Sequence, residues 1–231
     1  MIALVDYGMA NLRSVEKALL QVGGDPVITS DPQIIRQAHK VVLPGVGAFC
    51  AAMSNLHRSG LRDAVLESIA AGKPFLGICL GLQMLFDAST EMGDATGLGV
   101  LSGKVVRFFE KTESTTRNER RATNELANGI ENRKSKIENP NALKVPHIGW
   151  NALHFPRESR LLKGLEEGVR VYFVHSYYPE PTDSSIVVAT SDYGVDFCCA
   201  IEQGNIAATQ FHPEKSGTVG LQILRNFVAW K

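Results

Sequence analysis

The stretch PFLGICLGLQ, residues 74–83, decides the fold. A short apolar run, Pro74–Ile78, predicts a strand that passes with no linker into a helix beginning at Leu80. Cys79 sits at the junction in the pattern Gly77-x-Cys79-x-Gly81. A glycine-flanked nucleophile between a strand and a helix is the form of a nucleophile elbow, in which the flanking glycines relieve Cβ clashes in a sharp turn. Such a turn would push the Cys79 sulfur out at the carboxyl edge of a sheet, over a helix N-terminus. The helix dipole and a neighbouring imidazole would both favour the thiolate, the reactive form. The Leu80 backbone N–H would face the oxygen of a tetrahedral intermediate. A lone cysteine is often a small core hydrophobe; the strand-turn-helix setting argues against that here.

Working outward, short apolar strands alternate with helical patterns. Ile2–Val5, Pro26–Thr29 and Lys40–Pro44 predict strands. Leu12, Val15, Leu19 and Val22 recur at helical spacing before Gly23-Gly24, Asp31-Pro32 reads as an N-cap with proline at the first position of a helix through Ala38, and Leu61–Ala71 predicts a further helix. Strand and helix alternating at this spacing predict an α/β fold with a parallel sheet between helices and ligands at the strands' carboxyl ends. The second half is richer in strands: Gly103–Phe108, His147–Phe155, Arg170–Val174, Ile186–Thr190, Phe197–Ile201 and Ile206–Thr209, closed by a helix over Val219–Trp230.

The chain has 231 residues, with 24 basic and 24 acidic side chains, so net charge gives no reason to expect a nucleic acid or an anionic membrane as partner. No 18 apolar residues run together, so no membrane span is predicted. The opening MIALVDYGMANLRS has no basic region ahead of a long apolar run, so no signal peptide is expected, and the expected compartment is the cytoplasm. Four cysteines without zinc or staple spacing agree with a reducing compartment and predict no metal; Cys50, Cys198 and Cys199 read as core packing. One stretch breaks the rhythm: the 32 residues Glu110–Asn141 hold 6 acidic and 7 basic side chains and only Leu126, Ile130 and Ile137 among Leu, Ile and Val. So little apolar surface cannot offset ordering entropy, and a mobile, solvated insertion or at most a short surface helix is expected within a single domain 1–231.

A cysteine nucleophile needs a base, and the base an orienting group. Gln210-Phe211-His212-Pro213-Glu214-Lys215 follows the last strand, and Glu214 could hold the His212 imidazole in the useful tautomer. His57, His147, His154 and His175 compete for the role, whereas His39 ends a helix. Pro44-Gly45-Val46-Gly47 ends another strand and could turn backbone N–H groups inward as a second oxyanion donor, or be an ordinary turn. Lacking Lys-Ser/Thr, it is no phosphate loop.

Taken together, GICLGLQ, QFHPEK and PGVG resemble the class I (triad-type) glutamine amidotransferases. Within them, DYGMANLRSV (6–15), LPGVGAF (43–49), PHIGWN (146–151) and FVHSYY (173–178) are similar to the glutaminase subunits of imidazole glycerol phosphate synthases. The resemblance implies the class I amidotransferase-like fold, a mostly parallel central sheet flanked by helices with further antiparallel strands. It implies Cys79, His212 and Glu214 as the catalytic triad. It places glutamine against Gly45, Val46, Gly47, Leu80, Gln83, His175, Ser176 and Tyr177, with the Gly45–Gly47 loop rearranging before it serves as an oxyanion donor. It implies a partner, a (β/α)8-barrel cyclase subunit in a heterodimer, facing Asn11, Trp150, Tyr172 and Lys215, with no cofactor. Ammonia would pass to the barrel, which converts PRFAR to imidazole glycerol phosphate and AICAR in histidine biosynthesis. The alternative is a class I glutaminase serving another acceptor, in pyridoxal phosphate synthesis or surface-sugar amidination.

Overall fold

The computed structural model describes residues 1–91, 93, 95–109 and 143–231; the charged stretch 110–141 and its expected mobility lie outside them. In chain order the elements are β1 (Ile2–Val5), α1 (Leu12–Gln21), β2 (Pro26–Thr29), α2 (Pro32–Gln37), β3 (Lys40–Gly45), α3 (Phe49–Arg58), α4 (Leu61–Ala70), β4 (Phe75–Cys79) and α5 (Leu80–Gln83). There follow β5 (Phe86–Ser89), β6 (Ala95–Thr96), β7 (Leu101–Arg107), β8 (His147–Ala152), β9 (Arg170–His175), β10 (Tyr177–Pro181), β11 (Val187–Asp192), β12 (Asp196–Gln203), β13 (Ile206–Thr209) and α6 (Gly217–Ala229).

A seven-stranded sheet in the order β11-β12-β13-β4-β3-β1-β2 forms the centre. Its five strands from β13 to β2 are mutually parallel, and β12 and β11 add antiparallel at one edge. Because side chains alternate along a strand, Val41 and Leu43 of β3 enter one apolar core while Val42 enters the other. Ile35 of α2, Leu56 of α3 and Val65 of α4 fill the first core; Leu19 of α1 and Phe227 of α6 fill the second. Burial on both faces explains why β4 is continuously apolar and wholly buried. A four-stranded sheet, β10-β7-β5-β6, and the antiparallel pair β8-β9 complete the described residues.

Asp31 caps α2 as predicted, its carboxylate accepting the Gln33 N–H at 2.7 Å. Other elements depart from the sequence reading. The helix expected from Leu80 is a single turn, after which Phe86–Ser89 pairs as a strand; residues 82–86 are all fully or almost fully buried, so no apolar periodicity separates helix from strand there. With four residues the elbow helix has little dipole to offer the sulfur. The helix α3 went unread because Ala48 before it supplies no side-chain cap; the Phe49 N–H is instead taken by the Glu91 carboxylate at 2.7 Å, from 42 residues away. The strand expected over His147–Phe155 stops at Ala152, and β10 was not foreseen. Cys198 and Cys199 are buried, but Cys50 is only half-buried, its thiol on the Glu91 carbonyl.

The strain of the elbow lies on the cysteine. Cys79 itself takes φ 55° and ψ −107°, a region that costs a non-glycine residue about 1–3 kcal/mol. Gly77 and Gly81 relieve Cβ clashes, as expected: a Cβ on Gly77 would lie 2.8 Å from the Gly81 carbonyl oxygen, and one on Gly81 would overlap the Leu43 carbonyl oxygen of β3. Gly81→Ala is therefore expected to lose about 3 kcal/mol or more of stability in urea denaturation; an unchanged midpoint would show that the turn has slack.

Candidate active site

The parallel register brings three strand ends together. Gly45 of β3 pairs with Cys79 of β4, and Thr209 of β13 pairs with Ile78, so the 44–47 loop and the 210–215 segment flank Cys79 at one sheet edge. Beside it opens a cavity of about 350 Å³, lined by Val46, Gly47, Cys79, Leu80, Gln83, Glu91, Pro146 and the run Val174–Tyr177, together with His212. A larger cavity, about 810 Å³, lies away from these groups, around Arg157–Arg160 and Glu202. The smaller one is the candidate site, because Cys79 and the His212 imidazole both line it.

His212 Nδ1 lies 2.8 Å from Glu214 Oε1, both side chains almost wholly buried. Only an Nδ1–H tautomer satisfies that contact, which leaves Nε2 to exchange a proton on the other side. Nε2 is buried with no partner of hydrogen-bond geometry among the described residues, and the Cys79 sulfur is the group acting on it. Burial alone would push the imidazole down; the Cys79 sulfur and the Glu214 carboxylate outweigh burial and raise it to about 10.

Of the competing histidines, His57 ends α3, and His154 pairs with Glu167 at the surface. His175 and His147 are buried, their ring nitrogens 3.1 Å apart. His175 Nδ1 donates to the Tyr177 carbonyl at 2.9 Å, so its Nε2 must accept from His147 Nδ1–H. Burial holds His147 down to about 4 and His175 to about 3, so both are neutral at pH 7 and neither matches the base's setting. His175, Ser176 and Tyr177 do line the cavity, as do Val46, Gly47, Leu80 and Gln83; Gly45 lies below it against Tyr7.

The Val46 N–H, wanted as an oxyanion donor, is instead bonded to the Met9 carbonyl at 2.8 Å. Sequence reading missed Glu91 and Gln210. Glu91 lines the cavity from the end of β5, and the fully buried Gln210 donates from Nε2 to the Cys79 sulfur at 3.6 Å. Neither residue sits in a spacing that advertises a role, although Gln210 directly precedes Phe211-His212.

Trp150 and Tyr172 are cross-strand partners on β8 and β9, ring centroids 6.3 Å apart, with Lys215 Nζ 5.8 Å from the Tyr172 ring. Trp150 is 49% and Ile148 60% exposed, so Trp150 is no core aromatic. Asn11 is exposed at the start of α1, which packs against the 213–215 turn.

These shifts carry a stability signature. Between pH 6.5 and 4 the unfolded chain binds protons at His147 and His175 that the folded chain refuses, so stability falls as pH falls. His212 acts oppositely: its contribution is present below its unfolded value and is lost as pH rises through about 10. Urea midpoints should therefore drop on both limbs, and His147→Gln should flatten the acid limb. An acid limb unchanged by that substitution would show that His147 does not titrate as described.

The family model for class-I glutamine amidotransferases matches residues 3–230. The chain is 47% identical over 230 residues to imidazole glycerol phosphate synthase subunit HisH of Geobacter metallireducens, covering 100% of this chain and 98% of that protein. The subunit of the same name from Methanothermobacter thermautotrophicus is 47% identical over 228 residues, 99% of this chain and 98% of the other. Among solved structures, PurLQS from Thermotoga maritima gives a TM-score of 0.66 at 17% identity, covering 98% of this chain and 96% of that one. A glutamine amidotransferase gives 0.63 at 19%, covering 98% and 97%. At such identities the solved structures establish the fold alone.

Proposed function

The chain belongs to the class-I glutamine amidotransferase family, and we propose that within it this protein is the glutaminase subunit of imidazole glycerol phosphate synthase. The observation that carries the reading is the meeting, in one cavity, of Cys79 and the His212–Glu214 pair beside Gln83 and the Val174–Tyr177 run. Full-length identity of 47% to subunits of that name supports the choice of acceptor system.

In this reading the Cys79 sulfur attacks the side-chain amide carbon of glutamine. The carbonyl π electrons move onto oxygen, which the Leu80 N–H meets. As the tetrahedral intermediate collapses, the C–N bond breaks and His212 Nε2 delivers the proton that lets ammonia leave, so a γ-glutamyl thioester remains. His212 then takes a proton from water, which attacks the thioester; glutamate departs and the sulfur is restored. Glu214 holds the imidazole in register and stabilises its protonated form. Gln83, His175, Ser176 and Tyr177 line the substrate's position, and the Glu91 carboxylate offers the α-ammonium group of glutamine a counter-charge.

Because the Met9 carbonyl occupies the Val46 N–H, the second oxyanion donor comes into play only when the 44–47 loop releases it. One such donor is worth about 10²–10³ in rate, which supports weak activity of the isolated chain and a rise when the substrate-loaded partner docks. That partner is a (β/α)8-barrel cyclase subunit in a heterodimer, which uses the ammonia to convert PRFAR to imidazole glycerol phosphate and AICAR. Asn11, Trp150, Tyr172 and Lys215 face it, and the exposed ring of Trp150 with its neighbour Ile148 fits an apolar docking surface. Transfer without release makes chemical sense, since ammonia free at pH 7 is mostly ammonium and not a nucleophile. A single domain spanning 1–231 in the cytoplasm completes the proposal.

Cys79→Ala should lower glutamine-dependent synthesis by about 10⁴-fold or more, while added ammonia still supports the partner. Glutamine hydrolysis by the wild-type chain should rise at least about 10²-fold on adding the loaded barrel. Retained glutaminase activity in Cys79→Ala would remove Cys79 as nucleophile, and equal turnover with and without the barrel would remove the coupling.

A further inference from the structure

Running from the cavity wall at Gln83 to Cys79, two buried carboxamides form a chain whose polarity is forced at one end. The Tyr177 backbone carbonyl can only accept, so the Gln83 group that meets it at 3.0 Å must be the amide nitrogen, Nε2. The same Nε2 lies 3.0 Å from Gln210, so it must donate its second hydrogen to Gln210 Oε1. Gln210 is thereby held with its own Nε2 toward Cys79, 3.6 Å from the sulfur. Turning the Gln210 amide over would set donor against donor at Gln83, inside a site where Gln210 is 0% and Gln83 5% exposed. The sulfur is consequently an acceptor of an N–H whose direction is dictated by a carbonyl two residues removed along the chain of bonds.

We propose that Gln210 positions and charges the nucleophile: it holds the Cys79 sulfur at the elbow and stabilises its negative form, and Gln83 is the residue that orients it. This rests on the reading of Cys79 as nucleophile. Hydrogen bonds to a charged acceptor are stronger than those to a neutral one, so a donor fixed on sulfur favours thiolate over thiol. It also steadies a residue held in a strained backbone conformation, where χ1 freedom would misdirect the attack. As the thioester forms, the sulfur loses its charge and this bond weakens; as the thioester is hydrolysed, it strengthens again and favours departure of glutamate. Gln83 thus has a task besides substrate contact, because both of its N–H groups are committed to Tyr177 and Gln210.

The titratable groups facing Cys79 are His212 from the loop after β13 and Tyr7 from the end of β1, with His175 and Glu91 across the cavity. The 44–47 loop and α5 contribute none. A change at Gln210 leaves all four in place. The test is the rate of Cys79 alkylation by iodoacetamide in the full chain from pH 5 to 10, read peptide by peptide by mass spectrometry with half-buried Cys50 as internal reference. Gln210→Met removes the donor. Gln210→Glu keeps an acceptor for Gln83 but sets a carboxyl against the sulfur, and serves if the first variant does not fold. The Cys79 midpoint should move up by about one pH unit in Gln210→Met and further in Gln210→Glu, with the Cys50 curve unmoved. With the partner present, kcat for glutamine should fall about tenfold and KM stay within about twofold. A Cys79 midpoint equal to wild type in a folded variant overturns the proposal. Wild-type alkylation at Cys79 that leaves glutamine hydrolysis intact would instead overturn the reading of Cys79 as nucleophile, so the two failures are told apart.

Discussion

The backbone of Gly81 lies so close to the Leu43 carbonyl that no side chain fits between them, and this contact ties the first turn of α5 to the end of β3. With Gly77 also packed against the Gly81 carbonyl, the chain has little slack in which to round the corner, and Cys79 carries the turn at φ 55°. Cys79 is therefore presented at the sheet edge by backbone packing. Each other part of the site is then fixed by its own strand: the 44–47 loop by β3, and His212 by β13, both parallel neighbours of β4.

The electrostatics follow from that placement. His212 is buried and would be neutral there on burial alone, but it stands between the Cys79 sulfur and a buried carboxylate, and those two partners outweigh desolvation. The neighbouring pair His147–His175 is equally buried without a carboxylate and goes the other way. The contrast fits the proposed roles: a histidine with an acidic partner is suited to hold and move a proton, and one whose partners are another ring and a carbonyl to serve as a neutral wall of the cavity. The surface that carries Trp150 and Ile148 lies on β8, whose first residue, His147, is bonded to His175, so the proposed docking face and the cavity beside Cys79 share one two-stranded element.

Much of this was legible in the sequence because it was local. The strands of the parallel sheet, the Asp31 cap and the elbow are set by neighbours within a few residues, and HPE places its carboxylate two residues from its imidazole. What could not be read depends on partners far along the chain. The cap of α3 comes from Glu91, 42 residues away, and the Gln83–Gln210 bond spans 127 residues. The segment from Leu82 to Phe86 is buried on all sides, so its turn from helix to strand leaves no mark on hydrophobic periodicity. Gln210 was passed over for a similar reason, since a buried carboxamide works through geometry alone and has no spacing to announce it. The loop after β3 was expected to rearrange before donating, but that its Val46 N–H is held by the Met9 carbonyl belongs to a backbone orientation that no residue pattern reveals.

The claim on which the rest stands is that glutamine acylates Cys79. The direct measurement is mass spectrometry of the chain, with the proposed barrel partner and its acceptor site loaded, acid-quenched during glutamine turnover and digested. The account predicts a γ-glutamyl thioester on the peptide that holds Cys79, absent when glutamine is omitted and absent in Glu214→Ala if acylation needs the oriented imidazole. Continuing turnover with no acyl group on Cys79, or with the adduct on Cys50, Cys198 or Cys199, would contradict it.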